Sequence, residues 1–157
     1  MNDLSLDRLD DEKILWQTFT LPSSCDGQNL FCRLAEPTTP LRGVVQISHG
    51  MCEHIDRYIP FFRFLALEGF VVCGNDHLGH GKTCQNPDHF GFFAEEKGYQ
   101  YLIEDLHQVS LFLKKRYPQL PLFLFGHSMG SMITRLYLSK YSSLLQGVVI
   151  CGTAGPN

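Results

Sequence analysis

The sequence predicts an α/β fold, a mostly parallel sheet with helices on both faces, and three observations predict it. Apolar runs of four or five residues, too short for helices, recur between glycines and prolines. Segments with a 3.6-residue apolar period lie between them. The connections are long enough for the crossovers that parallel strands require. At 157 residues, 44% hydrophobic and 18% charged, the chain has the size and make-up of about one globular domain.

Residues 1–14 are a polar N-terminal segment, and structure begins near Leu15. Trp16 to Thr20 and Leu30 to Glu36 read as strands separated by the turn residues Pro22, Ser23, Ser24, Asp26 and Gly27, so an antiparallel hairpin opens the fold. Pro37 and Pro40 interrupt, and Val44-Val-Gln-Ile47 follows as a buried strand running into Ser48-His49-Gly50. Tyr58 to Leu67 is helical in period, with Pro60 in the first turn and Gly69 beyond the end. Phe70 to Cys73 is the next strand. It leads into Gly74-Asn-Asp-His-Leu-Gly-His-Gly81 and a polar, glycine-rich stretch to about Gly98. Leu102, Leu106, Val109 and Leu113 mark an amphipathic helix, acidic early at Glu104 and Asp105 and basic late at Lys114 to Arg116, as the helix dipole favours. Pro118 closes it. Leu122 to Phe125 is a buried strand, and Met129, Met132, Ile133, Leu136 and Tyr137 place one apolar face on a helix ending near Lys140. Gly147 to Cys151 is the last strand.

Gly126-His-Ser-Met-Gly130 joins a strand to a helix, and that context gives the five residues meaning. A serine on such a turn is held at positive φ, and flanking glycines leave room for neighbouring backbone to approach. Its hydroxyl projects from the end of the sheet. The following helix aims unpaired N–H groups and the positive end of its dipole at the place where an oxyanion would develop.

Composition excludes several classes. A net charge of −3 leaves no basic footprint for nucleic acid. No run approaches the roughly 18 apolar residues of a membrane span, and the first residues lack the basic-then-apolar pattern of a signal peptide. A cytoplasmic location is the expectation. Cys25, Cys32, Cys52, Cys73, Cys84 and Cys151 show no CxxC spacing, and Cys73 and Cys151 lie in apolar runs, where a thiol acts as a small hydrophobe. Asp76, His77 and His80 cluster without a further group at zinc spacing, so no metal is expected, and no cofactor.

Three motifs follow three successive strands: His49-Gly-Met-Cys-Glu-His54, Asn75-Asp-His-Leu-Gly-His-Gly81 and Gly126-His-Ser-Met-Gly130. Together they resemble the α/β-hydrolase superfamily, and within it the monoacylglycerol lipase and lysophospholipase branch, over residues 15 to 155. The resemblance implies a serine hydrolase of carboxylic esters, acting on monoacylglycerol, lysophospholipid or similar acyl esters through an acyl-enzyme. Its partner is a small acyl-ester substrate, compatible with peripheral contact with lipid. Ser128 is the implied nucleophile, and the backbone N–H groups of Met51 and Met129 the implied oxyanion hole. Gly126, His127 and Gly130 support the elbow, and His49 and Gly50 the oxyanion loop. Glu53 is expected to face solvent, and His54 and His127 to make local hydrogen bonds only.

A serine nucleophile needs a base, and in α/β-hydrolases an acid and then a histidine follow the serine in chain order. No Asp, Glu or His follows Ser128 here. Residues 15–157 are therefore expected to be the N-terminal part of a single α/β-hydrolase domain, ending before the cap and the last strands, with a C-terminal half in the intact enzyme. Upstream, His49 is the nearest candidate base. Its strand is expected next to the elbow strand, about 4.8 Å away, whereas the strand before His77 and His80 lies near 10 Å. Two function classes stay open: an ester hydrolase whose triad is completed elsewhere, and a non-catalytic α/β module that binds an acyl ligand or partner. A peptidase of the same fold is a weaker alternative, and a haloalkane dehalogenase-like enzyme weaker still, since its nucleophile would be an aspartate.

Overall fold

The structure is a computed structural model that describes residues 12–155. Most of the polar segment 1–14 lies outside the described residues, and by Ile14 the chain is already in a strand. Strands β1 (Ile14–Pro22) and β2 (Asn29–Pro37) form the opening hairpin. They pair in antiparallel register from Ile14–Pro37 to Pro22–Asn29, longer than the apolar cores of the two strands suggest. After β3 (Gly43–Ser48), a 3-10 turn at Ile55–Tyr58 runs into α1 (Ile59–Leu67). Then come β4 (Phe70–Asn75), α2 (Gly98–Arg116), β5 (Leu122–His127), α3 (Met129–Tyr141) and β6 (Gly147–Cys151).

Among the described residues the strands form one sheet in the order β1-β2-β4-β3-β5-β6. The last four are mutually parallel, and only β2 runs against them, β1 returning to their direction. Alternation along each strand feeds two cores. Leu34 and Val71 join Val44, Val109, Leu113 and Leu122 beneath α2, while Ala35 and Val72 join Ile47, Phe62 and Ala66 beneath α1. Helices cover both faces, as the sequence predicts.

Most polar groups inside these cores are paired, because an unpaired one costs about 1–3 kcal/mol; Thr134 Oγ1 is an exception among the described residues. Gln46, fully buried on β3, donates to the Leu106 carbonyl at 2.8 Å and accepts from the Ser110 hydroxyl at 2.6 Å; Ser110 in turn accepts from Tyr137 at 2.9 Å. That chain ties β3, α2 and α3 together. Buried Asp105 accepts from the Ser23 and Ser24 hydroxyls and from the Ser24 N–H, which fastens the hairpin turn to α2.

Two expectations are corrected. On α3 the buried stripe is Met129, Gly130, Ile133, Thr134 and Tyr137, whereas Met132 and Leu136 are exposed. The small residues face the sheet because Gly126 of β5 packs directly on Gly130 and Thr134. Cys151 is exposed on the edge strand, unlike buried Cys73, because β6 has a neighbour on one side only.

Parallel register fixes the functional rim. Ile47 pairs with Gly74 and Ser48 with Gly126, so the loops leaving β3, β4 and β5 emerge side by side at the carboxyl ends of the strands.

Candidate active site

Ser128 sits between β5 and α3 at φ 52° and ψ −118°. For a non-glycine residue that conformation stores about 1–3 kcal/mol, which the surroundings must offset. They do so through the backbone: the Ser128 N–H donates to the Cys151 carbonyl at 2.9 Å, and its carbonyl accepts from the Ser131 N–H at 2.9 Å and the Ser131 hydroxyl at 2.5 Å. The glycines are demanded sterically. A Cβ on Gly130 would overlap the Ser48 carbonyl, and one on Gly126 would overlap the Thr134 hydroxyl and the Gly130 carbonyl. The serine itself is half-buried. Among the described residues nothing hydrogen-bonds its Oγ, and the Met129 N–H, first in α3, has no acceptor.

The loop after β3 lies against this elbow. A Cβ on Gly50 would stand 3.1 Å from Ser128 Cβ and 3.3 Å from His127 Nδ1. The Gly50 N–H is taken by Glu53 Oε1 at 2.5 Å. The next amide, Met51 N–H, has no acceptor among the described residues, and the Met51 side chain points to solvent, 54% exposed. Cys52 turns the chain at φ 57°.

His49 does not serve as the base. Its ring is fully buried, with Nδ1 donating to the Gly50 carbonyl at 2.7 Å and Nε2 accepting from the His77 N–H at 3.0 Å. Both nitrogens are committed to backbone. Burial drives its pKa down to about 4, so it stays neutral. His77 is likewise held well below the ordinary range by burial and by the neighbouring His49 ring, 4.2 Å away. His80 bonds the Leu78 carbonyl. Among the described residues no group of His, Cys, Asp and Glu is placed to hold a metal ion.

Glu53 does not face solvent, contrary to expectation. Its Oε1 also accepts from the Tyr58 hydroxyl at 2.7 Å and stands 3.3 Å from His127 Nδ1. Burial pushes this carboxyl up, but the bonds from Tyr58, Gly50 and His127 outweigh it and hold the pKa below the usual range. The signal in the sequence was the Gly50-x-x-Glu53 spacing, which lets a carboxylate reach back to an N–H three residues earlier, as in a capping box.

A cleft of about 650 Å³ lies elsewhere on the rim, between the β1–β2 turn and the 79–96 loop. Cys25, Cys84, His89 and Tyr101 line it, and Ser128 does not. No helix among the described residues is long and apolar enough to cross a membrane.

A family model described as "Serine aminopeptidase, S33" matches residues 39–156, from just before β3 to past β6. Monoglyceride lipase of Homo sapiens is 32% identical over 150 residues, covering 96% of this chain and 48% of that protein. Monoglyceride lipase of Rattus norvegicus is 30% identical with the same coverage. A solved thermostable carboxyl esterase from Bacillus coagulans, in complex with glycerol, superposes at TM-score 0.84 with 38% identity, over 89% of this chain and 45% of that one. The chain spans about half the length of the curated relatives it matches.

Proposed function

Because the chain belongs to the serine aminopeptidase, S33 family and has the α/β-hydrolase fold, we propose that Ser128 is the nucleophile of a carboxylic ester hydrolase. One observation carries this reading: a half-buried serine at φ 52°, wedged by glycine packing at the start of a helix, with its hydroxyl unengaged. An ester substrate is favoured over a peptide by the relatives, which are named as monoglyceride lipases and a carboxyl esterase. Acyl glycerols, lysophospholipids and similar acyl esters are the proposed class, met in the cytoplasm and with peripheral contact where the lipid is aggregated.

The chemistry follows from the groups present. Ser128 Oγ attacks the ester carbonyl carbon, its proton passes to a base, and the carbonyl oxygen becomes an oxyanion held by the Met51 and Met129 N–H groups. Collapse expels the alcohol, which takes the proton, and leaves an acyl-serine that water hydrolyses. The base and its carboxylate come from outside the described residues. Two observations support that step: His49 has both nitrogens committed, and among the described residues no imidazole hydrogen-bonds Ser128 Oγ. Residues 1–157 alone are therefore poor esterases on this proposal.

Hydrolysis of p-nitrophenyl and monoacylglycerol esters by the protein expressed from its complete reading frame tests the reading. Ser128→Ala should lower turnover by about 10⁴–10⁶. An inert parent protein would favour the second reading, a non-catalytic module that binds an acyl ligand. Robust Ser128-dependent turnover by residues 1–157 alone would place a base within them.

A further inference from the structure

Gly50 has the backbone freedom of any glycine, yet the amide after it, Met51 N–H, has to point at one place. Two side chains remove that freedom. His49 Nδ1 holds the Gly50 carbonyl, which shares a peptide plane with the Met51 N–H, and Glu53 Oε1 holds the Gly50 N–H in the plane before it. The same carboxylate oxygen reaches the elbow. A carboxylate only accepts, so the Tyr58 hydroxyl must donate to it, and the phenol oxygen is left to accept from His127 Nδ1–H at 3.0 Å. Every proton in the chain His127, Tyr58, Glu53, Gly50 thus points toward one charge, whose side chain is only 15% exposed.

We propose that Glu53 is a positioning residue: it clamps the oxyanion loop at Gly50 and, through Tyr58 and His127, registers that loop to the nucleophile elbow. The inference rests on the reading of Ser128 as nucleophile and deepens it. Glu53 touches no reacting atom. Its effect is on the aim of a donor that must already be in place when the oxyanion forms, because a donor that has to reorient during the reaction loses much of its worth.

The test uses the complete protein and four variants assayed on a p-nitrophenyl ester, with amide hydrogen exchange at Gly50 as a second readout. Glu53→Ala should lower kcat by about 10–100-fold, a part of what a missing oxyanion donor costs, with KM nearly unchanged and Gly50 exchange accelerated. Glu53→Gln should recover most of both, since its amide oxygen still accepts from Gly50 and Tyr58. Tyr58→Phe, which removes one donor to Glu53 and the relay to His127 but leaves the Gly50 clamp, should cost less than Glu53→Ala. Glu53→Met, similar in volume but without an oxygen acceptor, takes the place of the alanine variant should that fail to fold. Unchanged kcat in the Ala or Met variant, or Gln as damaging as either, would overturn the inference while leaving an active, Ser128-dependent parent. A parent without Ser128-dependent turnover would instead remove the reading beneath it, and the inference with it.

Discussion

Two glycine- and histidine-rich loops leave the same rim of the sheet and end in opposite states. At the end of β4 and in the loop after it, Asn75, Asp76, His77, His80 and Thr83 are all buried. Asp76 accepts from the Ile55 and Lys82 N–H groups, both at 2.7 Å, and Thr83 bridges the Asp76 carbonyl and the Phe31 N–H. Only Asn75 Oδ1 and His77 Nδ1 stay buried without a partner among these described residues. Across the rim, the β3 loop and the elbow keep a serine hydroxyl and the Met51 and Met129 N–H groups unengaged among the described residues. Composition does not separate the two loops. What separates them is polar satisfaction: one loop has spent most of its donors and acceptors on holding its own shape, while the other has been wedged open by neighbours that do the holding.

The largest expected effect comes from filling the wedge. Gly130→Ala puts a methyl group into the Ser48 carbonyl, and neither backbone can yield without separating α3 from β3. Denaturant unfolding should show a loss of about 3 kcal/mol or more. Gly155→Ala, with nothing within 4 Å, should stay within about 0.5 kcal/mol. Equal costs at the two sites would mean that steric wedging does not hold the elbow.

A smaller effect sharpens the other side. His49 and His77 are neutral when folded but take up protons in the unfolded chain below its pKa of 6.5. Stability is therefore fully present above about pH 6.5 and falls with pH toward the folded value, which for His49 is about 4. His49 alone accounts for about 3 kcal/mol over that window. Asp76, whose carboxyl burial raises, works in the opposite sense in its own titration range, since the folded state then binds its proton more tightly. Unfolding free energies at pH 7, 6 and 5 should fall with a slope that steepens below about pH 6, and less steeply in His49→Gln. A flat profile would show these rings to be solvated rather than sealed.

The sequence carried the architecture well and the site in part. Strands, helices, the shared rim and the elbow were legible because periodicity and the placement of glycine and proline are local signals. The buried face of α3 was misjudged because Met132 and Leu136 fit the apolar period, while the decisive contact, Gly126 on Gly130 and Thr134, rewards small size rather than hydrophobicity. Glu53 was missed because its partners Tyr58 and His127 come from the 3-10 turn and from β5, the latter 74 residues away. No pattern along the chain records such a meeting. His49 looked near enough to act as a base because strand spacing gives distance but not which way a ring's nitrogens are already bonded.

The most direct test of the contrast is covalent labelling of the complete protein with a fluorophosphonate, followed by peptide mass spectrometry. The account predicts one label, on Ser128, lost in Ser128→Ala and absent from buried Ser48 and from the loop after β4. A label elsewhere, or ester hydrolysis that proceeds with Ser128 unlabelled, would contradict it.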